Sequence, residues 1–267
     1  MTLPMKQILT LMRRPKLLLL LLLASLALVG LAGSADWQPK VAILATSLAA
    51  ALLAEWAFYG AAPFGAVQSA AITGSIIGLL ISPGSSLLLV WSASVAAIAS
   101  KKLLAFREGK HIFNPAAFGL VFSVLVFGNH LNWWGNSSVL VVVIGVGLLL
   151  FRLGRLSLPI SYFITRTVMV AWLGGPGTFA GAFLLPNLFF AFIMLVEPKT
   201  VPGKRTEQWI FGGLGGILAT LFYRWLPAFE GDLFALLIVN MLRPLMVLPH
   251  RSGLQATATQ PVNSGSN

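Results

Sequence analysis

The sequence predicts an all-α polytopic membrane protein of about ten transmembrane helices, arranged as two inverted five-helix repeats. Three observations carry that prediction. Of 267 residues, 57% are hydrophobic and only 9% charged, where a soluble domain carries roughly a quarter charged residues. Apolar runs of spanning length recur along the chain between short polar joints. Fifteen of the 18 Lys and Arg residues fall in alternate joints, which places them on one side of a membrane.

A spanning helix needs about 20 mostly apolar residues, with a lower limit of roughly 17. Residues 17–35, 40–59, 66–82, 85–104, 113–131, 137–153, 157–174, 177–196, 208–225 and 231–249 meet that requirement. The first run follows Arg13, Arg14 and Lys16 and ends in "LAGSA", the pattern of a cleavable leader. Nine further runs follow it, and an uncleaved first span keeps the two halves equal. The expected organisation is a basic segment 1–16, a first five-helix repeat 17–131, a second 137–249, and a disordered tail 250–267. By the positive-inside rule both termini face the cytoplasm of a prokaryotic cell. In a soluble protein the net charge of +11 would point to nucleic acid; here it reports orientation, and no nucleic-acid partner is expected.

The chain has no cysteine, which excludes disulfides, thiolate catalysis and iron–sulfur ligation. Its three histidines, His111, His130 and His250, have no metal-ligand spacing, so no metal site is expected. No nucleophile–base–acid set can be assembled, and a stand-alone catalyst is not expected.

The halves align at an offset of about 116 residues. "LLISPGSS" (79–86) falls against "MLVEPKTVP" (194–202), and "WSASVAAIASKK" (91–102) against "WIFGGLGGILAT" (209–220). Five spans per half is an odd number, so the second half lies upside down relative to the first. Inverted repeats hold their ligands near the midplane, between interrupted helices. Gly74-x-x-x-Gly78 and Gly212-x-x-x-Gly216 are expected to let helices approach closely.

"GKHIFNPAAFG" (109–119) sets an Asn-Pro pair at the entrance of the fifth span. Proline fixes φ and removes a donor, which suits the first position of a helix. Its counterpart, "FEGDLFALL" (229–237), opens the tenth span with Gly231 and Asp232. Helix N-termini present free N–H groups and partial positive charge, fit for an anion or the polar edge of a flavin. Asn114 and Asp232 also read as ordinary N-caps.

Six stretches resemble one family over about residues 40–245. They are "LLAEWAF" (52–58), "SAAITGSIIGLLISP" (69–83), "GKHIFNPAAFGLV" (109–121), "GAFLLPNLFFAFIMLVEPKTVP" (181–202), "IFGGLGGILATLFYR" (210–224) and "FEGDLFALLIVNMLRPL" (229–245). The family is NQR2/RnfD, comprising the RnfD membrane protein of the Rnf electron transport complex and the NqrB membrane protein of the sodium-translocating NADH:quinone oxidoreductase. The resemblance implies a membrane subunit of a redox-driven ion pump. Its implied partners are other membrane and peripheral subunits and a flavin- or iron–sulfur-containing reductase. It also implies a flavin, set near Asn114, Pro115, Thr73, Glu197, Thr200 and Asp232. The family usually esterifies FMN to a threonine in an outer loop patterned D-x-x-[ST]-x-A-T. Here that loop, Gly128–Ser138, reads "GNHLNWWGNSS", without threonine or aspartate, and "RSGLQAT" (251–257) is a poor substitute. The expectation is therefore riboflavin or FMN held without a covalent bond. A small-solute transporter or channel on the same scaffold is the alternative.

Intramembrane charges are costly and commonly functional. Glu55 in the second span and Arg166 in the seventh are the expected ion-pathway residues, and the two are expected to pair. Trp133 and Trp134 are expected to anchor the outer interface. The cations of "EPKTVPGKRTEQ" (197–208) signal orientation, or hold a phosphate or a soluble partner.

Overall fold

The computed structural model describes residues 14–61, 63–105, 111–136, 138, 141–174, 187–227 and 229–246. The predicted tail 250–267 and most of the basic segment 1–16 lie outside the described residues. So does the first part of the predicted span 177–196. Among the described residues the chain is all-α, with two isolated antiparallel bridges, Ile81 with Leu131 and Ala105 with His111.

The helices are α1 Pro15–Ala32, α2 Trp37–Tyr59, α3 Phe64–Leu80, α4 Leu87–Leu103, α5 Pro115–Phe127, α6 Gly147–Arg152, α7 Ser157–Gly174, α8 Arg205–Trp225 and α9 Gly231–Met246. π-helical turns occupy Val141–Val146, ahead of α6, and Phe190–Met194. Helix follows predicted span closely, and the seventh coincides with it. Only α1 and α2 are long and apolar enough on their own to cross a membrane; α3 and α5 are shorter apolar helices. The shortening has a local cause. Each joint with proline or an αL glycine ends its helix early: α3 stops two residues before "SPG", and α5 runs from Pro115 to an αL Gly128 with φ +63°.

The outer surface is apolar. Leu28, Trp56, Leu88, Trp172 and Leu245 all face outward and are more than half exposed. Such a girdle would be untenable in water but matches lipid, and the chain is a membrane protein. Inside, Tyr162, Phe189, Phe190 and Phe211 join Leu23, Leu26 and Ile77 in one core.

Small residues set the helix spacing. α2 packs on α3, where a Cβ on Gly74 would lie 2.8 Å from the Ser47 carbonyl oxygen. α7 packs on α8 through Gly212 against Leu158 and Ser161, and Gly216 against Tyr162 and Thr165. α4 lies between α2 and α5, as α8 lies between α7 and α9. Buried Ser94, Ser100 and Ser123 satisfy their hydroxyls on their own helix carbonyls, at 2.7–2.9 Å.

The segment after α5 corrects one expectation. Trp134 is no interfacial anchor: it is buried, and its Nε1 donates to the Gly78 carbonyl at 2.9 Å. The reason is that the last carbonyls of α3 have no partner within that helix. Asn132 N and Trp133 N donate to the Leu80 carbonyl, completing the same end. Trp133 turns its Nε1 to Glu230, at 3.2 Å.

Two neighbouring glycines in α8 test this packing. Alanine at Gly212 meets Ser161 and Leu158, whereas alanine at Gly213 finds its nearest atom, Thr165 Cγ2, at 3.4 Å. Gly212→Ala should destabilise the detergent-solubilised protein by about 1–3 kcal/mol. Gly213→Ala should be neutral or stabilising by up to ~1 kcal/mol, since alanine favours the helix. Paired thermal-unfolding measurements check both.

Candidate functional site

Asn114 sits at the centre of the site. Its backbone is extended, and its Oδ1 accepts from Ala117 N at 3.0 Å, capping α5. Its Nδ2 donates to the Met194 carbonyl at 2.9 Å, and its backbone N donates to Asn240 Oδ1 at 2.9 Å. Asn240, from α9, in turn donates to the Thr200 carbonyl at 3.4 Å. One fully buried chain of amides thus joins the entrance of α5 to the π turn 190–194, the 197–202 loop and α9. The cap reading of Asn114 holds, and the residue does more than cap.

Next to it, His111 Nε2 lies 3.0 Å from Glu197 Oε1, and Thr200 Oγ1 lies 3.4 Å from Glu197 Oε2. His111 is buried. These groups border a cavity of about 460 Å³, walled by Thr73 and Ile76 of α3, Asn114 and Pro115, Leu149 of α6, Phe192 and Ile193 of the π turn, and Glu197. Lys16, Arg155 and Lys199 stand at its rim. The volume lies within the range of small-molecule sites, roughly 300–1,000 Å³, and the mix of apolar walls with few polar groups is the usual one.

A second cavity, of about 340 Å³, shares Lys16, Ser69 and Lys199 with the first and adds Glu55, Tyr59, Lys101 and His111. Glu55 is buried, with Lys101 Nζ 3.5 Å from its Oε2, an ion pair without hydrogen-bond geometry.

Of the sequence candidates, Asn114, Pro115, Thr73 and Glu197 come together around one cavity. Thr200 is buried behind Glu197. Glu55 lies in the adjoining cavity. Asp232 and Arg166 lie elsewhere. The expected Glu55–Arg166 pair does not form: Arg166 bonds Asp232 and the Tyr162 hydroxyl, and Tyr162 donates to Asp232 at 2.7 Å. Two helix faces decide this. Arg166 of α7 points toward the entrance of α9, and Glu55 of α2 points toward α4.

Sequence reasoning did not single out Asn240, His111, Lys16 or Arg155 as site residues. Asn240 carried the one available signal, a lone amide in the apolar run "LLIVNML". Arg155, in the loop between α6 and α7, is half-buried; burial first, then the charge of Arg243, holds its guanidinium below its ordinary range. Glu230, in the loop before α9, is shifted the other way. Burial raises its carboxyl, against the lowering effect of hydrogen bonds from Trp133 and Leu131 N.

A family model for the NQR2, RnfD, RnfE family matches residues 125–248. The chain is 28% identical over 149 residues to the RnfD subunit of the ion-translocating oxidoreductase complex of Cronobacter sakazakii, covering 53% of this chain and 42% of that protein. It is 30% identical over 136 residues to the subunit of the same name from Methanosarcina acetivorans, covering 48% and 44%. With the corresponding subunit of Salmonella arizonae it shares 32% over 133 residues, covering 45% and 37%. The chain belongs to the NQR2/RnfD family. It spans about two fifths of the length of the curated relatives it matches. The stretch matching the NQR2/RnfD model contains Arg166, Glu197, Thr200, Asp232 and Asn240, whereas Glu55, Thr73, Asn114 and Pro115 precede it.

Substitutions at Asn114 and at the buried ion pair test the site. Asn114→Ala removes the cap, worth about 1 kcal/mol, and strands the buried Met194 carbonyl at a further ~1–3 kcal/mol. Asn114→Ser, which restores the cap alone, should melt between wild type and alanine. For the ion pair, Arg166→Met or Asp232→Asn alone each leaves a buried charge unpartnered, at about 3–5 kcal/mol. The double variant should recover most of that loss, because no charge then remains and Tyr162 keeps its acceptor. Thermal unfolding of all these proteins in detergent decides it.

Proposed function

We propose that this chain is a membrane subunit of an ion-translocating oxidoreductase and holds a flavin, without a covalent bond, in the 460 Å³ cavity. The observation that carries the reading is the convergence of Thr73, Asn114, Pro115 and Glu197 on one apolar-walled space. A flavin accepts and gives up electrons one or two at a time. The chain's own residues position and enclose it. Asn114 spends its Oδ1 on the cap and an Nδ2 hydrogen on Met194, so it fixes the wall at the head of α5. Glu197 is oriented by His111 and Thr200. Ile72, Ile76, Leu149 and Phe192 exclude water from the body of the ligand.

Glu55 is the group we assign to ion uptake. Its carboxylate is a hard oxygen ligand, suited to sodium or a proton, and the cavity that holds it shares three walls with the proposed flavin site.

In this reading the chain crosses a prokaryotic cell membrane as ten spans in two inverted halves, with both termini cytoplasmic. The packing order α2–α4–α5 and α7–α8–α9 supports the repeat. Lys16, Lys101, Arg155 and Lys199 come from separate joints, all assigned to the cytoplasm by sequence, and gather around the two cavities. Other membrane subunits and a flavin- or iron–sulfur-containing reductase are the proposed partners.

The full chain, purified in mild detergent without added flavin, should be yellow and bleach with dithionite. Denaturation should release free flavin and leave no coloured peptide. Ala116→Phe, which fills the cavity wall, should weaken flavin retention roughly tenfold, about 1.4 kcal/mol. A colourless protein that renders liposomes permeable to small solutes would overturn this reading in favour of a transporter.

A further inference from the structure

Arg155 Nη1 is buried and has no hydrogen-bond partner among the described residues. Its strongest charged neighbour is of like sign, Arg243, whose own Nη1 is given to the Lys199 carbonyl at 2.8 Å. Lys16 and Lys199 complete a rim of cations around the cavity, and the single carboxylate there, Glu197, is engaged by His111 and Thr200. A buried donor left without an acceptor costs about 1–3 kcal/mol, and more when charged. The rim therefore calls for an anion with several acceptor oxygens. The space behind it calls for an apolar or aromatic body.

We propose that Arg155, Lys16 and Lys199 form a phosphate-binding mouth, which holds the phosphate end of an amphipathic ligand whose apolar body fills the cavity. The planar fork of Arg155 suits two phosphate oxygens at once, and the lysines add point charge. The inference rests on the flavin reading in making that ligand a flavin mononucleotide. The headgroup of an anionic phospholipid presents the same chemistry.

The test uses the full chain in detergent, stripped of bound small molecules, and measures binding of FMN, riboflavin, phosphatidylglycerol and phosphatidylcholine. It compares wild type, Arg155→Gln, Lys199→Gln and the control Arg152→Gln, an exposed cation of the same joint that does not line the cavity. FMN should bind wild type and the control at least ~10-fold more tightly than riboflavin, a difference of about 1.4 kcal/mol. Arg155→Gln should abolish that preference, and Lys199→Gln should reduce it. Binding of phosphatidylglycerol alone, with the same dependence on Arg155, would uphold the mouth and remove the flavin. Equal binding of FMN and riboflavin in every variant would overturn the mouth and leave the flavin reading intact. Failure of both phosphate-bearing probes to bind would overturn the mouth as well. Should Arg155→Gln not fold, Arg155→Lys keeps the charge without the fork, and with the exposed Lys199→Gln it carries the same comparison.

Discussion

The hydrogen bonds of Asn114 are the constraint from which the rest of the architecture follows. Within a bilayer no water is available to satisfy stray backbone groups, so an interrupted helix must find its partners inside the protein. α5 begins at such an interruption, flanked by the buried His111 and Asn114. The Asn114 side chain closes the helix entrance on one side and reaches Met194 on the other, while Asn240 takes up its backbone N–H. Remove that amide and three segments distant in sequence lose their common point. The cavity exists because these segments are held together at their edges and leave space between.

The same economy governs the far end of α3. Its last carbonyls would be orphaned where "SPG" stops the helix, and the 131–134 segment folds back to cover them through Asn132, Trp133 and Trp134. Irregular backbone is tolerated at both places for one reason: protein, not lipid, surrounds it. Charge follows a similar division. Cations crowd the end of the molecule where the two cavities lie. Glu230, raised by burial and bonded to Trp133 and Leu131 N, belongs to the loop that opens α9.

Much of this was legible in the sequence, and the misses share a cause. Apolar run length placed α7 to the residue and the other helices to within a few, because solvent exclusion acts over a whole run and needs no knowledge of neighbours. The Asn-Pro pair announced a helix start, since proline's fixed φ and missing donor are local properties. The glycine pairs announced close approach for the same kind of reason. Partner choice was not legible. Arg166 and Glu55 are both intramembrane charges, and nothing in a linear pattern states that α7 turns Arg166 to Asp232 while Glu55 meets Lys101. Trp134 failed similarly: a tryptophan near a span end belongs at the interface unless an orphan carbonyl within reach claims its N–H. The rim of Lys16, Arg155 and Lys199 was read as three separate orientation signals, since convergence is a three-dimensional property.

Where a glycine brings backbone against backbone, as at Gly74 on α2 and at Gly212 and Gly216 on α7, the two helices can neither slide nor rotate independently without collision. Each couple therefore behaves as a stiff plate. Aliphatic and aromatic side chains, which yield by changing rotamer, meet along the seam where the cavity runs. Compliance in this molecule is thus concentrated where a guest would sit, and any widening to admit one would leave the plates themselves undeformed.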